Sequence, residues 1–126
     1  YCELLKNGED LKNGFNVVVP TGNFGNILAA YYAKCMGVPI AKLVCASNAN
    51  NVLTDFINTG VYDKNRDFYT TTSPSMDILI SSNLERMLYH LYGNDAKATL
   101  ELQKQLADTI PEHTEDCLQR FTKDLR

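Results

Sequence analysis

Val17-Val18-Val19-Pro20-Thr21-Gly22-Asn23-Phe24-Gly25-Asn26 is the stretch that decides the fold. An unbroken apolar run enters a polar turn with two glycines. A second apolar run, Ile27-Leu28-Ala29-Ala30-Tyr31-Tyr32-Ala33, leaves it. The pattern reads as strand, turn, helix. A helix begins with N–H groups that have no partner within the helix, and its dipole is positive there, so such a turn suits a phosphate. Glycine at positions 22 and 25 is expected to permit positive φ and the close approach of an anion.

Outward from this turn, the pattern repeats. Residues 15–19 form a β-branched run fit for a strand buried on both faces. The helix over residues 24–36 carries Leu28, Tyr31, Tyr32, Cys35 and Met36, with Lys34 as its only charge, and should be largely buried. Gly37-Val38-Pro39 ends it. Residues 41–46 make the next strand. Ser47-Asn48-Ala49-Asn50-Asn51 is a polar turn with several N-cap candidates. A helix follows through Val52, Leu53, Phe56 and Ile57, closed by Gly60. After a charged loop at 63–67, residues 68–72 alternate and are expected to form a third strand, which Ser73-Pro74-Ser75 breaks. Residues 77–80 fit neither strand nor helix decisively. Ser82 and Glu85 have the spacing of a capping box. Leu84, Met87, Leu88 and Leu91 then recur at helical spacing up to Gly93.

From Asn94 onward two charged amphipathic helices are expected. One carries Ala98, Leu102 and Leu106; the other begins near Pro111 and carries Leu118, Phe121 and Leu125. The division is thus residues 1–93, an α/β segment, and 94–126, a helical extension. The fold class is α/β: a parallel sheet with flanking helices, three-layered, followed by C-terminal helices. Ligands of such sheets bind beyond the carboxyl ends of the strands. Three polar turns, at 21–26, 47–51 and 73–77, are expected to line one cleft there.

Bulk properties narrow the function classes. The 126 residues suffice for one core, and 44% of them are hydrophobic. Net charge is −3 with no basic stripe, which argues against a nucleic-acid partner. No apolar run approaches the roughly 20 residues needed to cross a bilayer, so no membrane partner is expected, and no signal-peptide pattern is present. The four cysteines, Cys2, Cys35, Cys45 and Cys117, contain no C-x-x-C pair, and only His90 and His113 accompany them. A zinc site is not expected. Cys35 and Cys45 read as small core residues, with reduced thiols in a cytoplasmic protein. Tyr1 in place of Met, and a helix end at residues 1–6, suggest a piece of a longer protein.

Two blocks resemble one family. Val18-Val19-Pro20-Thr21-Gly22-Asn23-Phe24-Gly25-Asn26 with Ala29-Ala30-Tyr31-Tyr32-Ala33-Lys34 is the first. Thr72-Ser73-Pro74-Ser75-Met76-Asp77-Ile78 with Ser81-Ser82-Asn83-Leu84-Glu85-Arg86 is the second. Both are similar to the longer bacterial and fungal form of threonine synthase, and the similarity runs over residues 15–91. The resemblance implies part of a fold-type-II enzyme dependent on pyridoxal 5′-phosphate (PLP). Such an enzyme converts O-phospho-L-homoserine and water to L-threonine and phosphate. It implies that Gly22, Asn23, Phe24, Gly25 and Asn26 hold the cofactor phosphate. The family's Schiff-base lysine has no counterpart before Gly22, where only Lys6 and Lys12 stand. The partner of the pyridine nitrogen is expected beyond Arg126. The segment alone is then inactive, and its first partner is the remainder of the parent chain.

Candidate substrate contacts are Asn48, Asn51, Ser75, Asp77 and Arg86, set against a purely structural use of each. Ser47, Asn48, Asn50 and Asn51 are also N-cap material. Ser73, Ser75, Asp77 and Asn83 suit the holding of a loop against a helix start. Arg86 suits either a phosphate or an ion pair with Glu85 or Asp77. The Tyr31-Tyr32 pair reads as core. Two other readings remain open on the residues alone: a flavodoxin-like module that binds phosphate or a nucleotide without catalysis, and a domain that packs on another chain and binds nothing.

Overall fold

The computed structural model describes residues 1–108. In chain order it holds α1 (Cys2–Lys6), β1 (Phe15–Pro20), α2 (Gly25–Cys35), β2 (Ile40–Ala46), α3 (Val52–Thr59), a 3₁₀ turn (Pro74–Met76), α4 (Leu84–Leu91) and α5 (Ala96–Asp108). The helix expected through Leu118, Phe121 and Leu125, with Pro111, His113 and Cys117, lies outside the described residues.

β1 and β2 pair in parallel, with Val17 opposite Leu43, Val19 opposite Cys45 and Pro20 opposite Ala46. Each strand hands the chain to a helix that packs back on the sheet, α2 on both strands and α3 on β2. The α/β class with a parallel sheet and flanking helices is therefore present. The core gathers Val19, Phe24, Ile27, Leu28, Leu43, Val52, Phe56, Leu84, Met87 and Leu88. Each such side chain removed from water contributes about 1.5–3 kcal/mol. α5 packs on α4, and its Leu102 joins this core.

Four local expectations are corrected. β1 is not buried on both faces: its burial alternates, and Val18 is 62% exposed. Two strands give the sheet one covered face and leave the other open. For the same reason α2 is not largely buried. Only Ile27 and Leu28 are fully enclosed, while Cys35 and Met36 are exposed. Tyr31 and Tyr32 are half-buried against the core, as is Cys45.

The third strand over 68–72 is absent; among the described residues the sheet has two strands. Side chains serve the backbone of this segment where a strand partner was expected. Asn50 accepts from the Tyr69 N–H at 2.9 Å and donates to the Tyr69 carbonyl at 2.7 Å. Asp77 accepts from the Thr71 N–H at 2.8 Å.

Finally, the capping box is not formed. α4 starts at Leu84 with Asn83 at the N-cap, and no side chain bonds the cap. The Asn83 amide is used elsewhere, on the glycine turn. Asn51 likewise occupies the N-cap of α3 without a side-chain cap bond. It donates to Asp55 and accepts from Arg66, which tie it to α3 and the following loop.

Candidate functional site

The chain leaves β1 through Thr21, whose N–H donates to the Ala46 carbonyl at 2.9 Å and so extends the parallel ladder by one rung. Thr21 is buried, and its hydroxyl turns back to the Val19 carbonyl at 2.7 Å. The direction change falls on Phe24. Its φ is 64°, in the left-handed region, and its ring is buried to 1% exposure. Burial of this large ring holds a conformation that costs a non-glycine residue on the order of 1 kcal/mol. Gly22 and Gly25 do not have positive φ, contrary to the sequence expectation.

The glycines serve by lacking side chains. A Cβ on Gly22 would stand 2.7 Å from the Ser75 carbonyl oxygen and 3.1 Å from Ile78 Cδ1. Position 22 must be glycine for the second sequence block to lie against the first. Gly25 is different. A Cβ there would meet only Asn83 Nδ2, at 3.4 Å, so the protein does not fill the space beside the first residue of α2.

Together the two blocks enclose a cavity of about 560 Å³, lined by residues 19–27 and 72–76. Among the described residues, the main-chain N–H groups of Gly22, Asn23, Gly25 and Asn26 have no protein acceptor. The first turn of α2 contains no acidic side chain to cancel its dipole. No lining residue is ionisable, while Thr72, Ser73 and Ser75 supply hydroxyls. Unpaired amides at a helix start, a roomy cleft and an open space at Gly25 fit a phosphate group. The same lining offers no side chain able to act as acid or base at neutral pH.

A second layer of contacts holds the cavity wall. Asp77 accepts from Thr71 N–H and Oγ1, both at 2.8 Å, from Asn48 Nδ2 at 2.7 Å, and from Asn50 Nδ2 at 3.1 Å. The Thr71 main-chain bond is the largest influence holding the Asp77 carboxyl below its ordinary range. The Thr71, Asn48 and Asn50 side chains add to it, against a partial loss of water. Cys45, at the end of β2, is pushed up by burial, with an opposing contribution from Thr21.

Of the three turns expected in one cleft, two line it. The turn at 47–51 stands behind as a support, because Asn48 and Asn50 are spent on Asp77 and Tyr69. Gly22, Asn23, Phe24, Gly25, Asn26 and Ser75 are brought together at the cavity. Asn48, Asn51 and Asp77 are not in its lining. Arg86 is exposed and borders a separate shallow concavity with Glu85, Tyr89, Ala96, Thr99 and Leu100.

Sequence reasoning assigned no such part to Ser81, and Asn83 entered it only as one of several loop-holding residues. Both bond carbonyls of the glycine turn. The cluster Ser81-Ser82-Asn83 carried the signal, but one capping interpretation absorbed it.

Comparison with known proteins agrees with the two blocks. No family model matches the chain. A protein of Macaca fascicularis described as threonine synthase-like 1 is 60% identical over 108 residues, which are 84% of this chain and 14% of that protein. The threonine synthase of Saccharomyces cerevisiae is 50% identical over 98 residues, 73% of this chain and 19% of that enzyme. The crystal structure of PLP-bound threonine synthase from Brucella melitensis matches with a TM-score of 0.83 at 40% identity, over 98% of this chain and 26% of that one. The resemblance to threonine synthase is thus present in sequence and in fold. The α/β arrangement is that of part of a fold-type-II enzyme. The chain spans between 14% and 26% of the length of these three proteins.

Proposed function

We infer that this chain is a segment of a threonine synthase, and that it supplies the socket for the phosphate of PLP. The observation that carries the reading is the set of unpaired amides at Gly22, Asn23, Gly25 and Asn26, residues that line a cavity without ionisable side chains. When bound, PLP supplies the electron sink for chemistry at an amino acid.

The segment's own part is binding and orientation. Gly22, Asn23, Phe24, Gly25 and Asn26 hold the phosphate through main chain and the α2 dipole. Thr72, Ser73 and Ser75 close the opposite wall, and their hydroxyls complete the donor set. Of the five substrate candidates, Ser75 alone lines this cavity, which supports giving it a ligand contact. Asn48 and Asp77 act behind the wall, and Asn51 secures α3. Main-chain donors suit this task because they are fixed by the fold and carry no proton that titrates near neutrality.

The whole enzyme converts O-phospho-L-homoserine and water to L-threonine and phosphate. The lysine that holds the cofactor covalently comes from outside the segment. Among the described residues Lys6 and Lys12 are surface groups beside Glu3 and Asp10, and neither lines the cavity. The segment by itself is therefore without activity. A cytoplasmic location belongs to the same reading; among the described residues no helix is long and apolar enough to cross a membrane. The division at residue 93 is part of it as well, with residues 94–126 as an extension. A nucleotide-binding alternative would need a ribose partner after β2. Asn48 and Asn50, the residues there, are already committed to Asp77 and Tyr69.

The test is Gly25→Val in the longer protein. A branched side chain would enter the open space beside the amides. PLP affinity is expected to fall by about 10-fold or more, the loss of at least one bond to a charged group. Unchanged affinity would remove the turn as the phosphate site.

A further inference from the structure

We propose that Ser81 is a positioning residue for the phosphate socket: its hydroxyl sets the tilt of the peptide unit that presents the Asn23 N–H to the ligand. The proposal rests on the reading of the glycine turn as a phosphate site.

The Gly22 carbonyl and the Asn23 N–H belong to one planar trans peptide unit and point in opposite directions. Whatever holds the carbonyl therefore aims the amide. Ser81 Oγ donates to the Gly22 oxygen at 3.0 Å, across 59 positions of sequence. Ser81 is 7% exposed and does not line the cavity. Its pull comes from behind the turn, so the Asn23 N–H is turned to the cavity side.

The next peptide unit is held the same way. The Asn23 carbonyl accepts from the Asn83 N–H at 3.2 Å and from Asn83 Nδ2 at 3.0 Å. Two successive carbonyls of the socket are thus clamped from the segment that opens α4.

Ser81 is itself fixed. Its N–H donates to the Tyr62 hydroxyl at 2.9 Å, and that hydroxyl donates to the Leu79 carbonyl at 2.8 Å. The Tyr62 ring stands edge-on to Phe56 in the core, with centroids 5.5 Å apart. A chain of contacts runs from the core through Tyr62 and Ser81 to the Gly22–Asn23 peptide. Fixing a donor before the ligand arrives removes the cost of ordering it on binding.

A loosened peptide unit should harm only the interaction with phosphate. The experiment therefore measures equilibrium affinity of the longer protein for PLP and for pyridoxal, which lacks the phosphate. Ser81→Ala is expected to weaken PLP by about 10-fold and pyridoxal by less than about 2-fold. Ser81→Thr, which keeps the hydroxyl, should restore most of the PLP preference. If Ser81→Ala does not fold, Ser81→Cys serves: it keeps the shape but replaces the hydroxyl by a weak S–H donor, and should lower the PLP-to-pyridoxal ratio by about 3-fold. An equal loss for both ligands, or no loss for either, overturns the proposal. A parent protein with no preference for PLP over pyridoxal overturns the phosphate-site reading itself, and this proposal with it.

Discussion

The Ser75 carbonyl oxygen sits 2.7 Å from the point where a Cβ on Gly22 would be. Residues 53 positions apart in sequence thus share space that only a hydrogen atom fits. This contact brings the two sequence blocks together and gives the cavity its second wall.

Gly22→Ala and Gly25→Ala should therefore behave oppositely. At position 22 the new methyl meets backbone, which cannot swing aside, and overpacking costs about 1–3 kcal/mol. At position 25 the methyl meets an amide end at 3.4 Å, and stability should change by no more than about 0.5 kcal/mol. Denaturant midpoints of the two variants in the longer protein check this. Gly25→Ala should lose PLP affinity despite its normal stability.

Asn50→Asp should destabilise strongly for a nearly isosteric change. The Asn50 amide donates to the Tyr69 carbonyl and to Asp77 Oδ1, and the residue is 6% exposed. A carboxylate there would face two acceptors. The expected cost is at least about 2 kcal/mol, read from the shift in unfolding midpoint. Asn50→Ala should cost less, because it removes donors without adding a charge.

The Asp77 hub gives a pH signature. Its carboxyl is held below the ordinary aspartate value by donors present only in the folded state. Its contribution is therefore complete above that ordinary value of 3.8, and is lost as pH falls below it and through the folded value. Asp77→Asn should melt lower than the unmodified protein at pH 7, with the gap closing below about pH 3.8. A gap that stays constant from pH 7 to pH 2 would remove the carboxylate from this role.

Phosphate affinity should follow the ligand and not the protein. The cavity lining holds no ionisable side chain. The ratio of PLP to pyridoxal affinity in the longer protein should therefore rise with the second ionisation of the phosphate, near pH 6, with no further step up to pH 8. Titrations of both ligands at several pH values check it; an added step in the ratio, with a pKa of its own, would reveal a charged protein group in the socket.

Both strands of the sheet, the five described helices and the turn were legible because each follows from a local pattern. The run Val17-Val18-Val19 and the spacing of Leu84, Met87 and Leu88 specify their elements without distant help. The third strand was misread because alternation in Phe68–Thr72 is a local signal. Asn50 and Asp77, distant in sequence, supplied the partners that a neighbouring strand would have offered. The same limit applied at the site. The phosphate turn announces itself by its glycines, whereas Ser81 acts on it through a bond spanning 59 positions. A polar residue just before a helix reads as a cap unless its distant acceptor is known.

Whether the glycine turn holds the cofactor phosphate is decided by a crystal structure of the longer protein with PLP. Phosphate oxygens are expected at about 2.7–3.2 Å from the N–H groups of Gly25 and Asn26, with Asn23 contributing and no lysine or arginine of this segment in contact. Phosphate bound elsewhere, with those amides paired to protein acceptors, would contradict the phosphate-site reading.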